Sequence, residues 1–370
     1  MRIAHVTTLH PPDDARIVVR ECATLAAAGH EVHLVARGAG RLDDDAIVPA
    51  PIEVDEVRTG PRGLARRLRA ALKAGRAVGA DLYHLHDPEL LPLALPLKTG
   101  GAAVVYDVHE DAPREVIAFG SSRALGRARS FAWIAAEAAA ARIVDGIVAA
   151  TPTIEHRFPR SKTVLVRNFP VAAEVAAFAG PPLAERTSVA LYVGGISALR
   201  GAHELVAAIE RVRVDGARLV LAGDFQPPEL RAELSQLTGW ERVDALGRLP
   251  RDGIAEQLRR ARVGVVTLHP IAIHHDALPV KLFEYMAAGI PAVASDFPLW
   301  REIVQGAQCG VLVDPQEPAA VAEAIERCLA DPAAAEEMGR RGRDAVQRRY
   351  AWEPEGQRLL ALYARLQRRR

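Results

Sequence analysis

The stretch HHDALPVKLFEYMAAGIPAVASDFPLWRE, residues 274–302, predicts a helix followed by a buried strand. With Pro279 as its first residue, the helix ends at Ala288-Gly289, because a glycine just past a helix and a proline soon after it are stop signals. The next run, residues 291–295, is short and apolar, as expected of a buried strand. A helix that leads into such a strand is the repeating unit of a parallel α/β sheet.

The start of this helix carries an acid, a lysine and a second acid, namely Asp276, Lys281 and Glu284. Lys281 and Glu284 are three residues apart and therefore lie on one face near the helix start. Unpaired N–H groups and the helix dipole make that end suitable for a phosphate, and the lysine adds positive charge. A carboxylate there accepts hydrogen bonds from sugar hydroxyls. The alternative is an ordinary amphipathic helix whose charged side chains lie in water.

Length and composition limit the possible classes of protein. A chain of 370 residues predicts two domains of about 180 residues each. The formal net charge of +1 argues against a general polyanion binder such as a nucleic-acid-binding protein. The 3 cysteines are far apart and form no CxxC, which excludes a disulfide scaffold and a cysteine-rich zinc site. The opening MRIAHVTTL predicts a strand rather than a signal peptide, so we expect a cytoplasmic protein.

Short β-rich runs alternate with helical patterns in the first half of the chain. The predicted strands are residues 3–7, 31–36, 82–85, 103–106 and 146–149, and the predicted helices are 17–28, 63–78, 89–97 and 122–143. This alternation predicts a parallel sheet with helices on both faces. Ligands of such sheets bind beyond the carboxyl ends of the strands.

Three polar clusters follow predicted strands of this first half. They supply seven candidate binding residues, namely His10, Asp14, Arg16, His86, Asp87, His109 and Glu110. Any single histidine of this kind is explained by loop structure. Three clusters at corresponding strand ends favour a binding site, because the carboxyl ends of parallel strands share one edge.

The second half repeats the pattern after an alanine-rich linker that ends in Gly180-Pro-Pro. A strand at 189–193 leads into a Gly194-Gly195 turn, a helix at 202–212 and a strand at 219–222. The spacing is not GxGxxG, so a dinucleotide fingerprint is absent. The two glycines instead allow a phosphate to approach the backbone closely, and Arg200 adds charge beside them.

A basic helix is predicted over residues 62–76. Its leucines share one face, and most of its arginines and its lysine lie opposite them. One interpretation is a solvated face, and the other is weak contact with an anionic membrane surface that presents a lipid-linked acceptor. The second interpretation predicts peripheral association with the inner face of the membrane.

Three of these segments resemble a known family. The acids Asp276 and Glu284 stand eight positions apart, EYMAAGIPAVAS spans residues 284–295 and YVGGISALRG spans 192–201. Together they resemble the retaining glycosyltransferase family 4, in particular its LPxKLFEYMAAG subgroup, and the resemblance extends over nearly the whole chain. It implies a GT-B fold with two Rossmann-like, doubly wound parallel-sheet domains that face each other across a cleft. The implied domains are residues 1–172 and 183–350, with a C-terminal helix over 351–370 that crosses back.

The resemblance also implies roles for individual residues. Glu284 binds the ribose hydroxyls and Asp276 binds the hydroxyls of the transferred sugar. His109 positions the reacting groups or handles a proton. The implied donor site comprises Gly194, Gly195, Arg200, Arg248, Leu249, Asp276, Lys281, Leu282 and Glu284. The seven candidate binding residues of the first half are assigned to the acceptor side. This chain departs from the usual pattern, since glycine replaces an arginine at 195, arginine replaces a lysine at 200 and aspartate replaces a glutamate at 276. The Asp13-Asp14 pair replaces a Gly-Gly loop.

The implied activity is transfer of a sugar from a nucleotide-diphosphate sugar to an acceptor hydroxyl, with retention, in polysaccharide or glycoconjugate assembly. Cations and N–H groups stabilise the diphosphate leaving group, so neither a metal nor a further cofactor is expected. No DxD motif follows a predicted strand, and the Asp43–Asp45 run is expected in an early loop. The alternative is a catalytically weak homologue that binds a nucleotide sugar as a partner subunit.

Overall fold

A computed structural model describes residues 1–38, 47–52, 61–109, 111–118 and 123–369. Both Asp43–Asp45 and Glu110 lie outside these ranges. The chain divides into two compact units, of which unit 1 comprises residues 1–168 and 352–370 and unit 2 comprises residues 169–351. Residues 169–182 belong to unit 2, because the side chains of Phe169 and Phe178 are buried in its core.

Unit 1 is built on a parallel sheet of seven strands in the order β3-β2-β1-β4-β5-β6-β7. The strands are β1 Arg2–Val6, β2 Glu31–Ala36, β3 Ile47–Pro51, β4 Leu82–Leu85, β5 Ala103–Val108, β6 Gly146–Ala149 and β7 Thr163–Leu165. The helices are a π-helical segment Ala15–Cys22 continued by α1 Ala23–Ala27, then α2 Pro61–Val78, a 3-10 turn Pro88–Leu93 continued by α3 Ala94–Lys98, α4 Ala112–Ala118, α5 Arg123–Ile143 and α6 Pro152–Glu155.

Unit 2 contains a parallel sheet of six strands in the order β10-β9-β8-β11-β12-β13. The strands are β8 Val189–Val193, β9 Arg218–Ala222, β10 Val243–Ala245, β11 Val263–Val266, β12 Ala292–Ser295 and β13 Gly310–Val313. The helices are α7 Ala172–Ala177, α8 Ala202–Arg211, α9 Leu230–Leu234, α10 Arg251–Arg260, α11 Ala272–His275, α12 Val280–Ala287, α13 Pro298–Ala307, α14 Pro318–Ala330 and α15 Pro332–Arg349, with short 3-10 turns at Leu183–Glu185, Ala198–Arg200 and Thr238–Arg242.

The last helix, α16 Trp352–Gln367, packs on unit 1. The Trp352 indole N–H donates to the Thr24 hydroxyl at 2.7 Å, and Arg167 pairs with Glu355 at 2.6 Å. The sheet leaves room for this helix at Gly146, where a Cβ would lie 3.0 Å from Leu362. Hydrogen bonds, an ion pair and side-chain packing thus hold the helix in place.

The predicted fold class is confirmed. Both sheets have the doubly wound order in which the first strand neighbours the second on one side and the fourth on the other. The order in which strands are added to the sheet reverses beside that first strand, and ligands of such sheets bind at this switch point. The Gly194-Gly195 turn directly follows β8, the first strand of unit 2, so it lies at the switch point.

Some elements differ from their predicted form. The sequence analysis missed β3, because prolines at 49 and 51 argue against a strand; β3 is at the sheet edge, where proline is tolerated. The helix predicted at 89–97 begins as a 3-10 turn with Pro92 inside it, since proline cannot donate the α-helical hydrogen bond.

Two further predictions concern membranes. On α2, the predicted basic face at Arg62, Arg66, Arg69, Lys73 and Arg76 is exposed, whereas Arg67 turns inward and pairs with Glu89 at 3.0 Å. Contact of this face with lipid stays a prediction. None of the helices in the described part of the chain has the length and hydropathy that a bilayer-spanning segment requires.

Candidate active site

The position of α12 in unit 2 is fixed by the tyrosine in its middle. The Tyr285 hydroxyl accepts a hydrogen bond from the Val193 N–H at 3.1 Å and donates to the Val265 carbonyl at 3.2 Å, which links α12 to β8 and β11. The Tyr285 ring occupies the space beside Gly264, where a Cβ would lie only 2.2 Å from it. One helical turn earlier, Lys281 is therefore held at the carboxyl end of β8.

Lys281 lies against the glycine turn. Its Nζ atom is 3.7 Å from the centroid of the Tyr192 ring, an arrangement that stabilises a cation. A Cβ on Gly194 would lie 3.4 Å from the same Nζ, and the φ angle of 105° at this position also favours glycine. Burial, and next the charge of Arg200, hold the pKa of Lys281 well below its usual value. Two cations are thus held near each other beside the turn.

Arg200 fills the space that a side chain at position 195 would need. Its Nη1 donates to the Gly195 carbonyl at 3.2 Å, and the Tyr192 hydroxyl donates to the same oxygen at 2.8 Å. A Cβ on Gly195 would lie 2.7 Å from Arg200 Nη1. Glycine in place of the family's usual arginine therefore allows Arg200 to approach the turn.

Within the described ranges, no carboxylate forms an ion pair with Lys281 or Arg200. The start of α12 is also left without a side-chain cap, since Pro279 precedes its first residue. Two cations and an uncapped helix start together favour an anion at this place.

Glu284 belongs to an ion triad in which the two glutamates are buried and Arg251 is half-buried. Its Oε1 lies 2.6 Å from Arg251 Nη1, and Arg251 Nη2 donates to the carboxylate of Glu174. Burial alone would lower the pKa of Arg251, but the charges of Glu284 and Glu174 raise it above its usual value. Arg251 thus positions one oxygen of Glu284.

Arg251 was not among the predicted site residues. It begins α10, three residues after Arg248, which the resemblance places in the donor site. That proximity was the available signal. Its partner Glu174 lies 77 residues away in α7, a separation that no local pattern reveals.

The other predicted donor-site residues differ in how far they are buried. Asp276 directly follows α11 and is half-buried, Arg248 is exposed and Leu249 is half-buried. Leu282 is fully buried in the core, and its N–H already donates to the Pro279 carbonyl at 3.0 Å. Its contribution is therefore to packing.

In unit 1, the predicted acceptor-side residues meet around Asp107, at the end of β5. Arg16 binds both carboxylate oxygens of Asp107, at 2.9 and 2.7 Å. The Nδ1 atoms of His86 and His109 lie 3.1 and 3.0 Å from the same carboxylate. Burial would raise the pKa of Asp107, but Arg16 and His109 hold it well below its usual value.

The sequence analysis did not select Asp107. A charged residue near the end of the otherwise apolar strand AVVYDV was a usable signal, because a buried carboxylate needs partners.

His10 extends this network towards the surface. Its Nε2 lies 2.9 Å from His109 Nε2 and 3.4 Å from Asp87, and its Nδ1 lies 3.7 Å from Asp14. Asp87 is fully buried, which raises its pKa, and it accepts hydrogen bonds from the hydroxyls of Thr7 and Thr8. Asp14 caps the π-helical segment by accepting from the N–H groups of Arg16 and Ile17 at 2.9 and 3.0 Å.

The chain matches two families of known proteins. Residues 176–345 match the family described as glycosyl transferases group 1, and residues 15–168 match glycosyltransferase family 4. A glycogen synthase of Mycobacterium tuberculosis is 28% identical over 166 residues, 44% of this chain and 39% of that protein. A phosphatidyl-myo-inositol mannosyltransferase of Mycobacterium leprae is 30% identical over 149 residues, 40% of this chain and 38% of that protein. The chain spans about two fifths of the length of these relatives.

Solved structures of similar fold cover the whole chain. A sucrose-phosphate synthase from Thermosynechococcus elongatus superposes with a TM-score of 0.78 at 23% identity, covering 100% of both chains. The Anabaena protein HepE in complex with UDP-glucose superposes with a TM-score of 0.71 at 15% identity, covering 98% of this chain and 99% of that one. These likenesses show the fold. The two halves of the chain thus match two glycosyltransferase families, and the fold is the GT-B fold.

Proposed function

We propose that this protein transfers a sugar from a nucleoside-diphosphate sugar to an acceptor hydroxyl, with retention and without a metal ion at the diphosphate. The observation that carries this proposal is the convergence of Lys281 and Arg200 on the Gly194-Gly195 turn. Neither cation is paired with a carboxylate of the described residues, so both are available to an anion.

The chemistry of the reaction explains why these groups are needed. When the glycosidic bond to the donor breaks, negative charge develops on the departing diphosphate. Cations held in advance stabilise that charge more than they stabilise the bound donor, and this difference lowers the barrier. Lys281 and Arg200 supply two positive charges, the role that a divalent ion takes in other enzymes.

Glu284 and Asp276 are the groups we assign to the hydroxyls of the donor. Arg251 holds one oxygen of Glu284, so the carboxylate is oriented before a ligand arrives. The network around Asp107 in unit 1 is assigned to acceptor handling, with His109 as the proton-handling residue. The acceptor belongs to polysaccharide or glycoconjugate assembly, as the LPxKLFEYMAAG motif suggests.

The proposal is tested in two stages. A thermal-shift screen with UDP, GDP, ADP, CDP and TDP identifies the nucleotide, because a ligand that binds the folded chain raises its melting temperature. HepE was solved with UDP-glucose, so UDP-sugars are the first donors to assay for release of free nucleoside diphosphate with a panel of sugar acceptors. We expect release that Mg²⁺ does not increase. Donor binding without release would instead support the weak homologue, and no shift with any nucleotide would contradict the proposal.

Donor binding should take up protons. Because the pKa of Lys281 is lowered in the free protein, part of the lysine is neutral above that pKa, and a bound diphosphate restores its charge. The affinity should therefore fall as the pH rises through the lowered pKa, by up to tenfold per unit for one proton. Calorimetric titration in buffers of different ionisation enthalpy measures this uptake. Uptake that is unchanged in Lys281→Met would contradict the assignment.

Gly195→Ala should weaken donor binding about 10-fold, the scale of one charge-assisted hydrogen bond. The added Cβ would lie 2.7 Å from Arg200 Nη1, so the guanidinium must move away from the turn. The matched control is Gly306→Ala, since that glycine lies in α13 with nothing within 4 Å of the added Cβ. Titration calorimetry compares the two variants, and equal affinities would show that the position of Arg200 does not matter.

A further inference from the structure

Three histidines and a glutamate of unit 1 lie together, and none of them is among the residues assigned to the donor. His5 on β1 and His84 on β4 are register partners on neighbouring strands, so their side chains project from the same face of the sheet. Glu21 comes from the π-helical segment, and His86 directly follows β4. One donor atom from each of the four lies within 4.8 Å of all the others, and all four side chains are buried.

Several polar atoms of this cluster have no hydrogen-bond partner among the described residues. They are Nε2 of His5, Nε2 of His84 and both carboxylate oxygens of Glu21. Glu21 Oε1 forms an ion pair with Arg16 Nη2 at 3.2 Å, whereas Oε2 lies 3.7 Å from His84 Nδ1 and 3.9 Å from His5 Nδ1, too far for hydrogen bonds. Buried polar atoms normally find partners, so the three atoms with neither a hydrogen bond nor an ion pair, Glu21 Oε2 and the two Nε2 atoms, point to a missing ligand.

Two of the histidines are held in the way that metal-bound histidines are held. The Nδ1 of His86 lies 3.1 Å from Asp107, and the Nδ1 of His84 lies 2.7 Å from the Tyr363 hydroxyl. With its Nδ1 engaged in this way, His84 has an Nε2 lone pair that is available to an ion. His86 Nε2 lies 2.9 Å from His5 Nδ1, and an ion bound between these two rings would replace that hydrogen bond. A metal-binding histidine usually has its second ring nitrogen bonded to an oxygen of this kind.

We propose that His5, Glu21, His84 and His86 bind one divalent transition-metal ion, of which Zn²⁺ is the simplest example. Imidazole and carboxylate are ligands that Zn²⁺ accepts, and four protein ligands with no open position make a structural site. Zn–N distances of about 2.0–2.1 Å require donor atoms about 3.4 Å apart, so the four side chains must close by roughly 1 Å. The nearby charge of Arg16 is balanced by its bidentate pair with Asp107. The ion would join β1, β4 and the π-helical segment.

Metal analysis of the full chain, purified without chelators, is the direct test. We expect about one equivalent of Zn²⁺ or a similar ion per chain. After chelation, added Co²⁺ should give the visible absorption of a tetrahedral site, and added Zn²⁺ should raise the melting temperature. A metal-free protein that shows neither response would overturn the proposal, and a bridging buried water would then explain the unpartnered atoms.

Three variants locate the ion. Glu21→Gln keeps the shape of the side chain and should abolish the Co²⁺ spectrum, whereas Tyr363→Phe removes only the partner of His84 and should weaken Zn²⁺ binding about 10-fold or more. The control is His156→Gln, at an exposed histidine of the same unit, which should bind as the unmodified chain does. Should Glu21→Gln fail to fold, Tyr363→Phe still decides. Binding unchanged in the variants that fold would place the ion elsewhere and overturn the assignment.

Discussion

Lys281→Met should lower the turnover number at least about 100-fold, the scale of losing one preorganised donor to a developing negative charge. The ammonium group lies beside Gly194 and near Arg200, where we place the diphosphate. Steady-state release of nucleoside diphosphate measures the effect.

The melting temperature of the variant distinguishes a loss of function from misfolding. Because burial lowers the pKa of Lys281, holding its charge in the folded protein is unfavourable, and methionine removes that cost. The melting temperature of Lys281→Met should therefore equal or exceed that of the unmodified chain. Lys73→Met, at an exposed lysine of α2, is the control and should leave turnover and stability unchanged. Near-normal turnover in Lys281→Met would remove the lysine from the mechanism.

Glu284→Ala should have two effects, an at least about 100-fold loss of turnover and a loss of stability of about 3 kcal/mol. The stability is lost because Arg251, which is half-buried, would keep only Glu174 as a partner. For a unit of this size, the melting temperature should fall by roughly 10 °C. Calorimetric unfolding and turnover measurements test the two effects on one sample.

The variant Glu284→Gln separates the two roles of Glu284. Its amide oxygen can still accept a hydrogen bond from Arg251, and the Arg251–Glu174 pair is kept, so most of the stability should be retained. Turnover should be as low as in Glu284→Ala, because no carboxylate then faces the donor. If both turnover and stability were retained, Glu284 would act only as a structural partner of Arg251.

The sequence predicts the parts of this structure that depend on local patterns. The helix and strand within residues 274–302 appear as α12 and β12, because the apolar periodicity and the Gly289 stop signal are local. The Gly194-Gly195 turn follows β8 as predicted, since a strand pattern ending in two glycines is also local.

The contacts that orient the site could not be predicted in this way. Arg251 meets Glu174 across 77 residues, and Arg16 meets Asp107 across 91. Such pairs form only when the sheet brings distant strand ends together. His5 and His84 illustrate the same point. In the sequence each is an ordinary strand residue, and only the pairing of β1 with β4 shows that the two are neighbours. The position of Arg200 against Gly195 likewise needs coordinates, because sequence shows only that one expected cation is missing.

The central claim is that Lys281 and Arg200 hold the donor diphosphate at the Gly194-Gly195 turn. A crystal structure of the chain with UDP, or with whichever nucleotide the screen selects, grown without divalent cations, tests it most directly. The account predicts diphosphate oxygens at about 2.7–3.0 Å from the Lys281 ammonium and the Arg200 guanidinium. A diphosphate bound away from both side chains, or one that binds only when a divalent ion is added, would contradict it.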